Sequence, residues 1–132
     1  DQLCGTIDLL PTIPSLTKTP LPSRKKIDGL NISKLLTTDD KTPRNEFVYY
    51  TSRGDIEGLR QGKHKLLVKE PRNKKRNPKA KAEVMLFDLE ADLGEKNNLA
   101  ESKPEVVAKL KSRMLELDAQ IAKEARQPWF KE

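Results

Sequence analysis

Basic side chains crowd one stretch of the chain: Lys69, Arg72, Lys74, Lys75, Arg76, Lys79 and Lys81. Cations so close in sequence can grip phosphate or sulfate groups. The stretch lacks the interleaved aromatic residues that stack on bases and carries no nucleic-acid-binding motif, so nucleic acid is a poor fit. A like-charge block of this kind is ordinarily solvated surface between two elements. His64 is the sole imidazole, flanked by Lys63 and Lys65 with no carboxylate, Cys or second His beside it in sequence, which suits packing better than metal binding or proton transfer. Cys4 is the sole cysteine and is followed by Gly5-Thr6-Ile7 with no His in range, so it reads as a small apolar residue. Asp39-Asp40 could hold a cation, yet Thr37, Thr38 and Lys41 around the pair read as loop. Arg53-Gly54-Asp55 matches an adhesion tripeptide but sits in a turn, and Asn31-Ile32-Ser33 is a glycosylation sequon that acts only in a glycosylating host. None of these residue sets is a reaction centre.

The elements that must position these residues begin with four short apolar runs. Phe47-Val48-Tyr49-Tyr50 is apolar on both faces, as an internal strand is. Arg53-Gly54-Asp55 turns the chain into a second strand, Ile56 to Arg60, and Gln61-Gly62 supplies the φ-permissive residue of a tight hairpin into Lys65-Leu66-Leu67-Val68. Pro71 to Lys81, with its prolines and cations, cannot be a strand; Val84 to Leu89 is the fourth. Next, Ser102-Lys103-Pro104-Glu105 has the spacing of a capping box, with Ser102 as cap. Val107, Leu110, Met114, Leu117 and Ile121 follow in steps of three and four, one apolar stripe on a long helix that ends before Pro128. Trp129 and Phe130 are expected to anchor the tail.

The first 45 residues are of another kind. Ile7 to Ile13 reads as the start of a short helix, with Asp8 as its cap, Pro11 in the first turn, and Pro14 limiting how far it runs. Thr17 to Lys26 is an extended connector, Asp28-Gly29 a turn, and Ile32, Leu35 and Leu36 one helical turn after Asn31. Leu3, Ile7, Leu9, Leu10, Ile13, Leu16, Leu30, Ile32, Leu35 and Leu36 are more apolar surface than so irregular a segment can bury on itself. Such a patch normally marks a partner surface, here another domain of an intact protein from which the chain looks cut.

Composition sets outer bounds. The 132 residues are one domain's worth, 35% hydrophobic and 35% charged, with a net charge of +6 that favours anionic partners. One cysteine excludes an intramolecular disulfide, and no apolar run approaches the ~18 residues that a membrane-spanning helix needs. The expected fold is α+β: a small antiparallel sheet of about four strands (47–89) packed against a long C-terminal helix (103–126) within 46–132, preceded by an irregular apolar arm at 1–45.

Several runs together resemble the C-terminal part of a type I sulfatase, the arylsulfatase-like, formylglycine-dependent branch of the alkaline phosphatase superfamily. They are Ile7-Asp8-Leu9-Leu10-Pro11-Thr12-Ile13, Pro20-Leu21-Pro22 with Ile27-Asp28-Gly29, and Phe47-Val48-Tyr49-Tyr50. Leu59-Arg60-Gln61-Gly62-Lys63-His64-Lys65-Leu66, Leu86-Phe87-Asp88-Leu89 and Asp92-Leu93-Gly94-Glu95-Lys96-Asn97-Asn98-Leu99 continue them in family order. Departures are Leu93 where the family usually has Pro, Phe87 for a common Tyr, Pro14 in the first helix, and His64 at an often aromatic position.

The resemblance implies a parent enzyme that hydrolyses sulfate esters with a formylglycine made from Cys in a C-x-P/A-x-R context and a Ca²⁺ ion that polarises the sulfate. Cys4 does not match, because Thr6 stands for Pro or Ala and Asp8 for Arg. No catalytic or metal-binding residue carries over, so this chain alone is expected to be inactive and structural. Its partner is then the N-terminal catalytic domain of the same polypeptide, and its compartment the periplasm, the exterior or the lysosome. Arg53, His64, Lys74 and Arg76 are the expected contacts to a sulfated glycan. The alternative is a free-standing basic module that binds anionic polymers.

Overall fold

The computed structural model describes residues 2–21, 27–38, 40–71 and 79–125. The chain forms two compact units, residues 1–47 and 48–132, with strand β1 (Glu46–Tyr50) running across the division.

In the second unit, β2 (Ile56–Gln61) and β3 (His64–Lys69) form a tight hairpin. Gly62, at φ 56°, supplies the left-handed backbone that this turn requires, so that Gln61 faces His64 and Leu59 faces Leu66. Strand β4 (Glu83–Asp88) pairs antiparallel with β3, placing Leu66 opposite Leu86 and His64 opposite Asp88. The sheet order is β1-β2-β3-β4, without a crossover. Helix α3 (Pro104–Glu124) covers one face.

The core follows from the two periodicities. Leu59, Leu66 and Leu86, fully buried, come from three adjacent strands at matching register, and Leu110 and Met114 come from the helix stripe. Val106, Val107 and Leu117 extend the contact along α3. The stripe ends sooner than its sequence period suggests: Ile121 is 39% exposed, because the helix outruns the sheet. The free side of β4 is satisfied by the following loop. Asn98 accepts from the Leu86 N–H through Oδ1 (2.9 Å) and donates from Nδ2 to the Val84 carbonyl (3.2 Å), and the Leu99 N–H bonds the Leu86 carbonyl (2.7 Å). A strand edge that would otherwise invite another chain is thereby closed.

The expected capping box does not form. Ser102 Oγ donates to the Leu99 carbonyl, and the cap residue of α3 is Lys103, which has no side-chain capping bond. A box on Ser102 would need Lys103 to be helical. The residue before a proline is pushed out of the helical region, and Lys103 sits at φ −132°, ψ 59°. Pro104 therefore becomes the first helical residue, where its missing N–H costs nothing.

In the first unit, a 3-10 turn (Thr6–Asp8) leads into α1 (Leu9–Thr17), and α2 (Ser33–Thr37) follows the Asp28-Gly29 turn. Pro14 lies inside α1 instead of limiting it. Proline removes only its own N–H and crowds the preceding turn; its carbonyl still accepts, here from the Lys18 and Thr19 N–H groups. The Asp8 side chain does not cap α1. Its carboxylate turns back to the Gly5 N–H (2.9 Å) and across to the Leu30 N–H (2.8 Å). Gly29 lies so close beneath this turn that a Cβ would collide with the Ile7 carbonyl oxygen.

Candidate functional site

The strand order separates the residues expected to touch substrate. Arg53 lies in the β1–β2 turn (51–55), at the sheet end where β3 finishes at Lys69 and β4 starts at Glu83. Arg53 is exposed, its backbone N–H donating to Thr51 Oγ1 (3.2 Å). Lys69, Lys79 and Lys81 flank the same end along the chain. Lys74 and Arg76 lie outside the described residues, as do Asp39, Trp129 and Phe130. His64 starts β3 and so occupies the opposite end, a strand of about 20 Å away. No single sheet end gathers Arg53 and His64.

The His64 end is a compact polar group. Lys63 Nζ pairs with Asp88 Oδ2 at 2.8 Å, and Asp88 Oδ1 accepts from the Glu90 (3.2 Å) and Ala91 (3.4 Å) N–H groups. These contacts hold the Asp88 carboxyl below its usual range, with the Lys63 bond the main cause, and raise Lys63 in turn. His64 Nε2 is buried and, among the described residues, has no hydrogen-bond partner. Burial pushes the imidazole below its ordinary 6.5, with Lys103 and Lys63 acting the same way and Asp88 and Glu90 opposing. That geometry packs the ring. It does not aim a base at a substrate. Next along β3, Lys65 bonds Glu95 at 2.6 Å and lies 4.8 Å from the centre of the Tyr49 ring.

The first unit holds a cluster for which the sequence reading assigned no partner. Arg44 makes a two-pronged ion pair with Asp8, from Nε to Oδ2 at 2.9 Å and from Nη2 to Oδ1, and lies 6.0 Å from the centre of the Phe47 ring. Nη2 also reaches the Asp28 carbonyl (3.2 Å). Asp8 is fully buried, yet burial, which alone would raise its pKa, is outweighed by Arg44 and the Leu30 and Gly5 N–H groups, leaving it at about 2. Beside it, Thr12 Oγ1 accepts from the Ile32 N–H (3.0 Å) and ties α1 to the segment before α2. The one available signal was chemical: a carboxylate within an apolar run must find a cation. Nothing local identifies Arg44, which is 36 positions away.

This latch fixes α1 in a set orientation. Leu10 (58%), Ile13 (55%), Leu9 and Leu16 (both 48%) remain exposed along it. Part of the apolar surface expected of the arm is present, on more regular elements than the sequence suggested: Ile7, Leu30 and Leu36 are exposed too, but Ile32 is buried and Leu3 and Leu35 are half-buried.

Among the described residues, no group of three or more His, Cys, Asp or Glu side chains stands in metal-holding geometry. Asp8, Asp88 and Glu95 are each paired with a cation. A calcium ion therefore does not fit the donors described here. Cys4 is exposed and unpaired in any disulfide, in a sequence context foreign to formylglycine formation. No helix among the described residues is long and apolar enough to cross a membrane.

A four-stranded antiparallel sheet closed by one long helix, with an apolar segment ahead of it in sequence, makes this an α+β chain. A solved Bacteroides thetaiotaomicron protein, BT33336S-sulf, from work on the metabolism of multiple glycosaminoglycans, superposes with a TM-score of 0.62 at 26% identity, over 85% of this chain and 24% of that one. BT4656, solved with its substrate D-glucosamine-2-N,6-O-disulfate, shares the fold with a TM-score of 0.59 at 22% identity, over 89% of this chain and 24% of that one. In sequence the chain is similar to arylsulfatase A of Bos taurus, 32% identical over 121 residues (80% of this chain), and to arylsulfatase A of Homo sapiens, 32% identical over 143 aligned positions (91% of this chain). In sequence and fold the chain is therefore a C-terminal sulfatase-like part. It spans about a quarter of the curated relatives' length, 24% and 28%. No family model matches it.

Proposed function

We propose that this chain is the structural C-terminal subdomain of a sulfuric ester hydrolase and that it carries no reaction centre of its own. The observation that carries the reading is the uneven coverage: most of this chain aligns with arylsulfatase A, while most of arylsulfatase A has no counterpart in this chain. Hydrolysis of a sulfate ester needs a nucleophile, a dication and cationic clamps converging on one sulfate. The reading is supported, for the dication, by the described residues, among which no three His, Cys, Asp or Glu side chains are grouped to hold a metal. The catalytic domain, in the same polypeptide on this reading, supplies the formylglycine and the calcium.

The exposed face of α1 is the surface that meets that domain. The sheet end with Arg53, Lys69, Lys79 and Lys81 is directed toward a sulfated glycan, a substrate class suggested by the glycosaminoglycan setting of one structural relative. His64 drops out of that contact set, because its ring nitrogen is buried.

The test is an assay of the 132-residue chain with an aryl sulfate such as 4-nitrocatechol sulfate, with and without calcium. No sulfate release is expected, and any calcium-dependent release above the no-protein rate overturns the proposal. Heparin retention measured in parallel addresses the alternative of a free-standing anion-binding module. Retention that falls steeply with salt, and is lost in Arg53→Glu, favours the module if the α1 face proves dispensable to the intact enzyme.

A further inference from the structure

His64 lies at the tight turn between β2 and β3, directly opposite Asp88 in the β3–β4 ladder. Its Nε2 has no solvent access and, among the described residues, no partner. A neutral imidazole tolerates this, since one ring nitrogen then carries no proton and an unused acceptor costs little beside a buried cation. An imidazolium does not, since both nitrogens become donors and the ring carries a full charge. The nearest anion is already engaged: Asp88 is held by Lys63 and by two backbone N–H groups. The groups facing the ring are Lys63 from the turn, Asp88 and Glu90 from the end of β4, and Lys103 from the cap of α3. Two cations and two anions surround it, so an added proton creates an unbalanced charge on a half-buried ring whose Nε2 neither water nor, among the described residues, a side chain reaches.

We propose that His64 is an acid-sensitive pin, neutral when the sheet end is closed, whose protonation loosens the β2–β3 turn together with the end of β4. The sign follows from the direction of the shift. A histidine whose folded pKa lies below its unfolded value contributes its full stability above about pH 6.5, and that contribution is lost as pH falls through the lowered folded value. The carboxylates with lowered values, Asp8 and Asp88, titrate further down, so the difference between wild type and His64→Phe between about pH 7.5 and about pH 5.5 isolates His64.

Because the chain has one histidine, the test is unambiguous. An NMR titration of the full chain follows the single imidazole. A midpoint below 6.5, with shifts in the Lys63 and Leu89 amides along the same curve, is expected; a midpoint at or above 6.5 overturns the proposal. In parallel, the melting temperature of the wild type should fall between about pH 7.5 and about pH 5.5, and that of His64→Phe should stay flat over the same interval. An equal fall in both proteins also overturns it. If His64→Phe does not fold, the wild-type titration decides by itself.

Discussion

Asp8 is a carboxylate with no exposed surface, and the network around it shows how a buried charge is made tolerable. Three kinds of donor converge on it: a guanidinium, a backbone N–H from its own turn, and a backbone N–H from 22 residues away. Removing the negative charge while keeping the shape leaves Arg44, only 10% exposed, without its counter-ion. Breaking such a pair from one side costs about 3–5 kcal/mol. Asp8→Asn should therefore open the first unit, and hydrogen exchange at the Leu30 and Ile32 amides should quicken by about a hundredfold or more; unchanged exchange would mean that the pair is incidental. The pH dependence has a fixed sign. Because the folded value of about 2 lies below the ordinary 3.8, the carboxylate contributes stability at and above about pH 5, and that contribution, about 2 kcal/mol, fades as pH falls from 3.8 toward 2. The sequence pointed to Asp8 as a helix cap because capping is decided within four residues, whereas the partner that wins is set by tertiary folding.

At the level of elements, what was legible is what repeats locally. Alternation and turn chemistry placed the β2–β3 hairpin, because Gly62 and the Leu59–Leu66 register are consequences of residues within a few positions. The steps of three and four placed α3 and its buried pair, Leu110 and Met114. What failed were motifs whose geometry another residue vetoes: Ser102 loses its capping role to Pro104, and Pro14 limits nothing downstream of itself. The candidate substrate contacts were illegible for a topological reason, since the number of strand reversals between Arg53 and His64 decides that they sit at opposite sheet ends. The capping correction yields a contrast that can be measured. Leu110→Ala empties a site that is 2% exposed and should cost about 2–5 kcal/mol in urea unfolding. Ser102→Ala, which removes one exposed bond to the Leu99 carbonyl, should stay within about 0.5 kcal/mol. A loss above about 1 kcal/mol for Ser102→Ala would restore the box.

For the whole molecule, the question is why α1 keeps so much apolar side chain outward while Thr12 and the preceding Asp8 are buried. This inverts the usual helix of a lone domain, whose apolar stripe faces its own core. The inversion makes sense if the latch exists to present the outer face. Leu10 and Ile13, more than half exposed, then contribute almost nothing to this chain's own stability and much to its association with the catalytic domain. Replacing both with lysine keeps good or fair helix formers in α1 and leaves the Asp8–Arg44 pair untouched. The double variant Leu10→Lys, Ile13→Lys should melt within a few degrees of wild type, because exposed substitutions stay near 0.5 kcal/mol each. It should also lose most of the hydrophobic-dye fluorescence and self-association expected of the wild-type chain at high concentration. A large drop in melting temperature with dye binding unchanged would mean that the face serves this chain's own folding, and the proposed docking surface would then have to be sought elsewhere on the molecule.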